Sequence, residues 1–327
     1  MSIVLPESLP ATRVLLGEGV KVVSGDRLHD EIDRPLRICL VNLMPNKQVT
    51  ETQIARLLGA ASVPVELVLC VPDSYRAKNT SADHMAAFYR PWAQIRDQSF
   101  DGLIVTGAPV EALPFEQVAY WTDLCAIFDW ARSLSLHSFY ICWAAQAALY
   151  HHHAIPKHKL AEKAFGVFRH RLHERDSQLL RGFSNDFPVP VSRHTEIRMT
   201  DLPERSGLKV LAAAEEAGLC LIEDRTSRAV YMFNHIEYDT STLADEFLRD
   251  RQAGKPVRIP CNYFPEDDPQ RPPRNAWRPY GELLFANWLS AIEANRLQVR
   301  REALVGWTLG PRVDQPGSRI NRICSLP

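Results

Sequence analysis

Residues 138–150 read SFYICWAAQAALY, and the fold turns on this stretch. Its first four residues are apolar and aromatic, the pattern of a short buried strand. Residues 143–150 are rich in Ala and Leu and hold no Gly or Pro, which predicts a helix. Cys142 falls at the junction. A sharp strand-to-helix turn lifts a side chain out of the sheet, and the first N–H groups and positive dipole end of the helix favour a thiolate. A buried, inert cysteine is the commoner fate of a Cys in an apolar run. The neighbouring strands decide between the two readings.

Upstream, residues 36–43 (LRICLVNL), 65–71 (VELVLCV) and 102–105 (GLIV) are near-continuous apolar runs, typical of strands buried on both faces. Helices are expected between them. One has Thr50 as N-cap, Gln53 at the capping-box position and Ile54, Leu57 and Leu58 as its apolar stripe. A second spans 82–98 around Phe88, Trp92 and Ile95, kinked or split by Pro91. A third spans 116–133, with Val118, Trp121, Leu124, Ile127, Phe128 and Ala131 on one side. This alternation predicts an α/β fold with a doubly wound, mostly parallel sheet. Ligands of such sheets bind beyond the carboxyl ends of the strands. The 44–47 loop, the 107–111 loop and Cys142 all fall on that edge.

Downstream, 220–223 and 229–233 read as a hairpin about the 224–228 turn, and 234–239 (NHIEYD) follows its second strand directly. Helices are expected over 240–253 and 281–295. Residues 156–192 read as short, charged segments, and 256–280 as an irregular, proline-rich wrap. The expected organisation is an extended N-terminal arm over 1–35 packed on the domain, with room for one short strand or helix, a single α/β domain over 36–298 and a loosely ordered tail over 299–327.

Composition excludes several classes. A net charge of −1 without a long single-sign block predicts neither nucleic acid nor a membrane surface as partner. No run reaches the ~18 apolar residues of a membrane span, and the N-terminal residues lack a basic-then-apolar leader pattern. Cys39, Cys70, Cys125, Cys142, Cys220, Cys261 and Cys324 are scattered and odd in number, the pattern of a reduced, cytoplasmic protein.

A cysteine nucleophile needs a base, and the base needs orienting. His235 and Glu237 sit just past a strand end, two apart, and in extended backbone would point the same way. A surface ion pair fits the same pattern. Backbone N–H groups of Trp143 and of the Gly107–Ala108 turn are candidates for an oxyanion site, because Gly allows close backbone approach. Metal sites fail their tests. His235-x-Glu237 followed by Pro260-Cys261 matches part of the zinc deaminase signature, but the second Cys position is Phe264. His151, His152, His153 and His158 lack convincing ligand spacing. No Walker A sequence occurs, and no G-x-G-x-x-G follows the first strand. Lys163 and Arg249 are ordinary charges when taken alone.

Assembled, these residues give a chain that resembles the homoserine O-acyltransferase family (homoserine trans-succinylases) of methionine biosynthesis, over about residues 1–298. The resemblance is carried by NLMPNK at 42–47 with TETQ at 50–53, FDGLIVTGAP at 100–109, AYW at 119–121, Cys142-Trp143, Glu162-Lys163, NHIEYD at 234–239, NYFP at 262–265 and FANWL at 285–289. It implies a class I glutamine amidotransferase-like (flavodoxin-like) fold with a nucleophile elbow. It implies a Cys142 thioester formed from acyl-CoA, His235 as general base and Glu237 as its orienting partner. It further implies that Lys163, Ser192 and Arg249 contact the amino acid, and that Lys47 lies near the CoA or acyl end. The family's usual Gly-His-Pro-Glu-Tyr-Asp is Asn234-His235-Ile236-Glu237-Tyr238-Asp239 here.

The implied enzyme is a ping-pong, cytoplasmic homodimer with no bound cofactor, using acyl-CoA and L-homoserine. In the family, a Gly matching Glu111 goes with succinyl-CoA and a Glu with acetyl-CoA. A carboxylate at the acyl pocket fills space and repels the succinyl carboxylate, so Glu111 predicts acetyl-CoA. Three alternatives use the same residues differently: a glutaminase or peptidase, a serine O-acyltransferase, and a binding module that has lost activity.

Overall fold

The computed structural model describes residues 2–25 and 34–308, with side chains described to residue 302. Strand β1 (Ile3–Leu5), helix α1 (Pro10–Gly17) and strand β2 (Val22–Ser24) come first. The stretch expected as an arm therefore builds part of the sheet: β1 pairs in parallel with β2 and, through Ile3 and Val4, with Val65 and Glu66. Three-residue strands are too short to show a period. Pro10 misleads as a breaker, because proline is favoured in the first helical turn, where its missing N–H has no intrahelical partner.

The parallel centre follows as β3 (Leu36–Val41), α2 (Lys47–Gly59), β4 (Val65–Val71), α3 (Ala82–Phe88), β5 (Arg90–Pro91), β6 (Gly102–Val105), α4 (Trp121–Ser133), β7 (His137–Ile141) and α5 (Trp143–His153). The order β2-β1-β4-β3-β6-β7 is parallel throughout, with β5 against β4. Both faces are covered. Leu36, Ile38, Leu40, Ile104 and Phe139 pack under α1, α2 and α7 (Arg278–Thr308). Cys39, Val41, Leu103, Val105 and Tyr140 pack under α4 and α5. Continuous apolar runs were the sign of this two-sided burial.

Local differences have local causes. The helix expected over 82–98 stops at Phe88, and Pro91 lies in β5. Helix α2 begins at Lys47, and Thr50 lies inside it with its hydroxyl bonded back to the Asn46 carbonyl at 3.3 Å. Helix α4 begins at Trp121, after a 3₁₀ turn over Phe115–Gln117.

The larger departure is in the second half. Residues expected as short charged segments form a long antiparallel pair, β8 (His158–Leu172) with β9 (Asp186–Glu196). Strand β10 (Leu208–Ala214), also not expected, joins them to the anticipated hairpin of β11 (Gly218–Asp224) and β12 (Ala229–Met232). The complete order is β2-β1-β4-β3-β6-β7-β12-β11-β10-β8-β9. The wrap over 256–280 is threaded onto β8: the Val167 N–H donates to the Cys261 carbonyl at 2.8 Å, and the Cys261 N–H to the Phe165 carbonyl at 3.0 Å. Gly166, at φ +147°, permits this, since a Cβ there would come within 2.3 Å of the Cys261 oxygen.

Helix α6 (Thr242–Gln252) covers one end of the β8–β9 pair, where Phe165 and Val167 pack with Leu243 and Phe247. Residues 1–293 cluster as one compact unit, and the chain from Ala294 as a second. Helix α7 runs on through 299–308, inside the stretch expected as a loose tail; residues 309–327 of that tail lie outside the described residues. No helix among the described residues is long and apolar enough to cross a membrane.

Candidate active site

Strand β7 ends at Ile141 and helix α5 starts at Trp143, so Cys142 alone makes the turn. It does so at φ 53° and ψ −115°, a strained backbone for a residue with a Cβ. Its carbonyl accepts from the Ala145 and Gln146 N–H groups. The Trp143 N–H, at the first helical position, has no intrahelical partner and belongs to the anion-attracting end of α5. Gly107 closes the other side: a Cβ there would lie 3.1 Å from the Cys142 Cβ, 3.5 Å from the Ile141 oxygen and 3.6 Å from the Trp143 nitrogen. Close backbone approach at Gly107 is thus a fact of the packing.

Strand β12 lies parallel to β7 in a register that sets Met232 beside Ile141. The Cys142 N–H donates to the Met232 carbonyl at 2.6 Å. The residues after β12 therefore run past the cysteine. His235 is held by its N–H to the Pro190 carbonyl at 2.9 Å, and its ring stacks on Tyr238 with centroids 4.2 Å apart. His235 Nδ1 meets Glu237 Oε1 at 2.6 Å, and both side chains are buried. The backbone between them is a turn rather than extended, with the Tyr238 N–H on the His235 carbonyl at 3.3 Å. The pair forms by chain reversal and not by strand alternation.

Burial opposes a charge on His235, but Cys142 and Glu237, by charge and by hydrogen bonding, outweigh it and hold the imidazole well above its ordinary range. The ring thus favours the protonated form while facing the sulfur. Asn234, fully buried, braces the turn through a 3.0 Å contact from Nδ2 to His170 Nε2. Burial pushes the His170 imidazole down to about 4, so it is neutral and can accept.

A cavity of about 250 Å³ opens over Cys142. Its lining includes Gly107, Ala108, Glu111, Trp143, Lys163, Ser192, His235 and Arg249, so most of the residues singled out in the sequence converge here. Glu237 stands behind His235, outside the lining.

Lys47 does not line the cavity. It is wholly buried below the 44–46 loop, with Nζ donating to the Asn42 carbonyl at 2.5 Å and lying 4.1 Å from the Tyr75 ring centroid. Burial pulls its pKa down to about 7, against the pull of Glu51. It lies beneath Met44 and Pro45, which do line the cavity, and braces that loop from below.

The wall opposite Cys142 is a charge cluster. Glu246 accepts from Lys163 Nζ at 2.6 Å and from the Ser192 hydroxyl at 2.8 Å, and Arg249 Nη2 lies 3.5 Å from the same carboxylate. Asp250 holds Arg249 at 2.9 Å and Lys255 at 3.3 Å. Sequence reading missed Glu246 and Asp250. Their signal was present: with Arg249 they sit at i, i+3 and i+4 of one helix and share a face. It also missed Arg193, Gln146 and Thr195. Arg193 is buried with its guanidinium on the backbone carbonyls of Thr195 and Ala217; burial lowers its pKa while Cys142 and Glu196 act the other way. No local pattern marks a residue whose partners come from other strands.

Away from the cavity, Asp129, His151 and His152 bring ligand atoms within 4.8 Å of one another. Asp129 comes from α4, which is why the histidine run alone showed no ligand spacing.

The profile of the family described as homoserine O-succinyltransferase matches residues 2–296. A homoserine O-acetyltransferase of Brucella canis is 54% identical over 293 residues, covering 89% of this chain and 95% of its own. One of Brucella melitensis biotype 1 gives the same figures. Among solved structures, a glutamine amidotransferase from Thermotoga maritima superposes with a TM-score of 0.51 at 12% identity, covering 80% of this chain and 99% of its own. One from Methylobacillus flagellatus gives 0.50 at 14%, covering 78% and 94%. At such identity these structures speak for the fold alone, and the fold is that of class I glutamine amidotransferases. With a profile matched almost end to end and relatives more than half identical, the chain belongs to the homoserine O-acyltransferase family, whose members carry both the succinyl and the acetyl name.

Proposed function

We propose that the chain transfers the acetyl group of acetyl-CoA to the γ-hydroxyl of L-homoserine through a thioester on Cys142. The observation that carries this reading is Cys142 on a strained helix start, facing the His235–Glu237 pair, in a cavity that also holds Lys163, Ser192 and Arg249. The Cys142 thiolate attacks the thioester carbonyl. The oxyanion is received by the Trp143 N–H and the backbone at Gly107–Ala108. The His235 imidazolium gives its proton to the departing CoA sulfur. Neutral His235 then takes the proton of the homoserine hydroxyl as that oxygen attacks the acyl-enzyme. Collapse releases O-acetyl-L-homoserine and restores the thiolate and the imidazolium. Arg249 receives the homoserine carboxylate.

The acetyl donor is supported by Glu111. It is half-buried on the cavity lip, and its carbonyl is pinned by Lys157 Nζ at 2.8 Å. Its carboxylate narrows the acyl end and repels a second carboxylate. The protein acts, on this reading, as a cytoplasmic homodimer without a bound cofactor, as the family resemblance implies.

One assay tests the reading: CoA release from acetyl- and succinyl-CoA, with homoserine or serine as acceptor. Wild type should work best with acetyl-CoA and homoserine, and Cys142→Ala should release none. Glu111→Gly should gain succinyl-CoA use. No release with any pair overturns the transferase reading; unchanged donor preference in Glu111→Gly overturns the account of the donor alone.

A further inference from the structure

We propose that Asp129, His151 and His152 form a binding site for a divalent first-row transition-metal ion, with zinc as the ion of best fit, that ties α4 to α5. The proposal stands apart from the acyl-transfer reading. The two histidines lie on the last turn of α5, at the far end of that helix from Cys142.

Neighbours on a helix point about 100° apart, so His151 and His152 share no face by sequence alone. Their rings nonetheless converge, with centroids 4.9 Å apart. Both lean on Phe128 of α4, at 6.0 and 6.1 Å. The Trp121 ring, also from α4, stands edge-on to His151 at 6.3 Å. Asp129 follows Phe128 in the chain and brings its carboxylate to the pair. Its Oδ1 lies 2.8 Å from His151 Nε2, and one ligand atom from each of the three residues falls within 4.8 Å of the others. Packing between two helices assembles the donors.

The donor set selects the ion. Two imidazoles and a carboxylate suit zinc, copper, nickel or cobalt, whereas magnesium and calcium take oxygen ligands. Two zinc ligands, each at about 2.0–2.1 Å with a tetrahedral angle between them, stand about 3.3 Å apart. The contact between His151 and Asp129 therefore has to open only slightly, while His152 swings inward. The Asp129 side chain is 64% exposed and that of His151 23%, which leaves room to rotate and a fourth position for water. The ion takes the place of the proton between Nε2 and Oδ1, and the His151 imidazole carries its N–H on Nδ1 instead. The carbonyl end of α5 adds partial negative charge. Arg132 acts on His152 and His153 with the opposite sign and opposes a cation, so micromolar binding is expected.

The test titrates Zn²⁺ into the full chain carrying Cys142→Ala, which keeps the reactive sulfur out of the measurement. Calorimetry and the thermal unfolding midpoint are the readouts. One ion should bind with micromolar affinity and raise the midpoint, because it binds the folded chain. Mg²⁺ at the same concentration should do neither. His152→Ala should weaken zinc binding by at least the roughly 10- to 100-fold that loss of an outer-shell partner costs a metal site. Asp129→Asn, which keeps the shape of an exposed side chain, should do the same without disturbing the fold. Absence of saturable zinc binding in the parent chain overturns the proposal. So does zinc binding that both substitutions leave at full strength, which would place the ion on other side chains.

Discussion

The cavity has two walls of opposite construction. The wall of Cys142, Gly107 and His235 is made by backbone: strand ends in parallel register, a strained helix start and a glycine packed against it. The wall of Lys163, Ser192, Glu246 and Arg249 is made by side chains, an ion cluster on an antiparallel pair and a helix. The first sets the reacting atoms by close backbone packing and leaves little to adjust. The second reads charge, and its members are held by each other. On the proposed reading the chemistry sits on the first wall, and choice of acceptor on the second. Damage to the first should appear in kcat, damage to the second in KM.

The largest effect expected from the backbone-built wall is that of Glu237→Gln. The amide retains the shape but not the charge that holds the His235 imidazolium beside the sulfur. By analogy with removing the orienting carboxylate of a catalytic triad, kcat should drop on the order of 10³- to 10⁴-fold. Acyl-enzyme formation, followed by intact mass after mixing with acetyl-CoA, should slow by a similar factor. A variant with near-normal acylation would show that Glu237 is only a buried brace, and the contrast between the walls would fail.

Next in size is Gly107→Ala. Residue 107 is not among the positive-φ glycines, so the backbone accepts a side chain, but the new Cβ presses on Cys142 at 3.1 Å. Displacing the sulfur or the Trp143 N–H by a fraction of an ångström should lower kcat by about 10²-fold. Homoserine KM should stay within about twofold, because the acceptor wall is untouched. A rise in KM with unchanged kcat would mean that the two walls are not mechanically separate.

The same division explains what the sequence could tell. The parallel half is built by neighbours in the chain: each apolar run is one strand, each amphipathic stretch the helix after it. From these the sheet and its active edge followed, Cys142 with them. The β8–β9 pair carries Lys159, Glu162, Lys163, Arg169 and Arg171 on one long strand, and high charge reads as loop unless its partner is known. Glu246 and Arg193 are functional-looking only once residues far away in sequence arrive beside them. His235 and Glu237 were found through a correct spacing and an incorrect geometry, since a turn and not an extended strand brings them together. Lys47 was expected near the CoA or acyl end from the family resemblance alone; its full burial beneath the 44–46 loop is a packing fact that no local pattern signalled.

Lys47 supplies the smallest expected effect and a probe of what supports the backbone-built wall. Its ammonium is buried among the Asn42 and Met44 carbonyls and the rings of Tyr75 and Tyr89. Desolvation brings its pKa from 10.5 to about 7. Between those values the unfolded chain binds the proton and the folded chain does not. Stability from this group therefore rises with pH through that window, by at most about 1.4 kcal/mol per unit, and is flat below 7, where both states are charged. Glu51, His84 and the two tyrosines surround it. Burial holds both phenols above their ordinary value of 10, so neither titrates between pH 7 and 9. Lys47→Met removes the titration. In urea unfolding, wild type should gain on the order of 2 kcal/mol relative to the variant between pH 7 and pH 9. Two parallel pH curves would mean that Lys47 stays charged in the fold, held by Glu51. The 44–46 loop would then rest on a buried ion pair, and its side of the cavity would be built by charge, as the acceptor wall is.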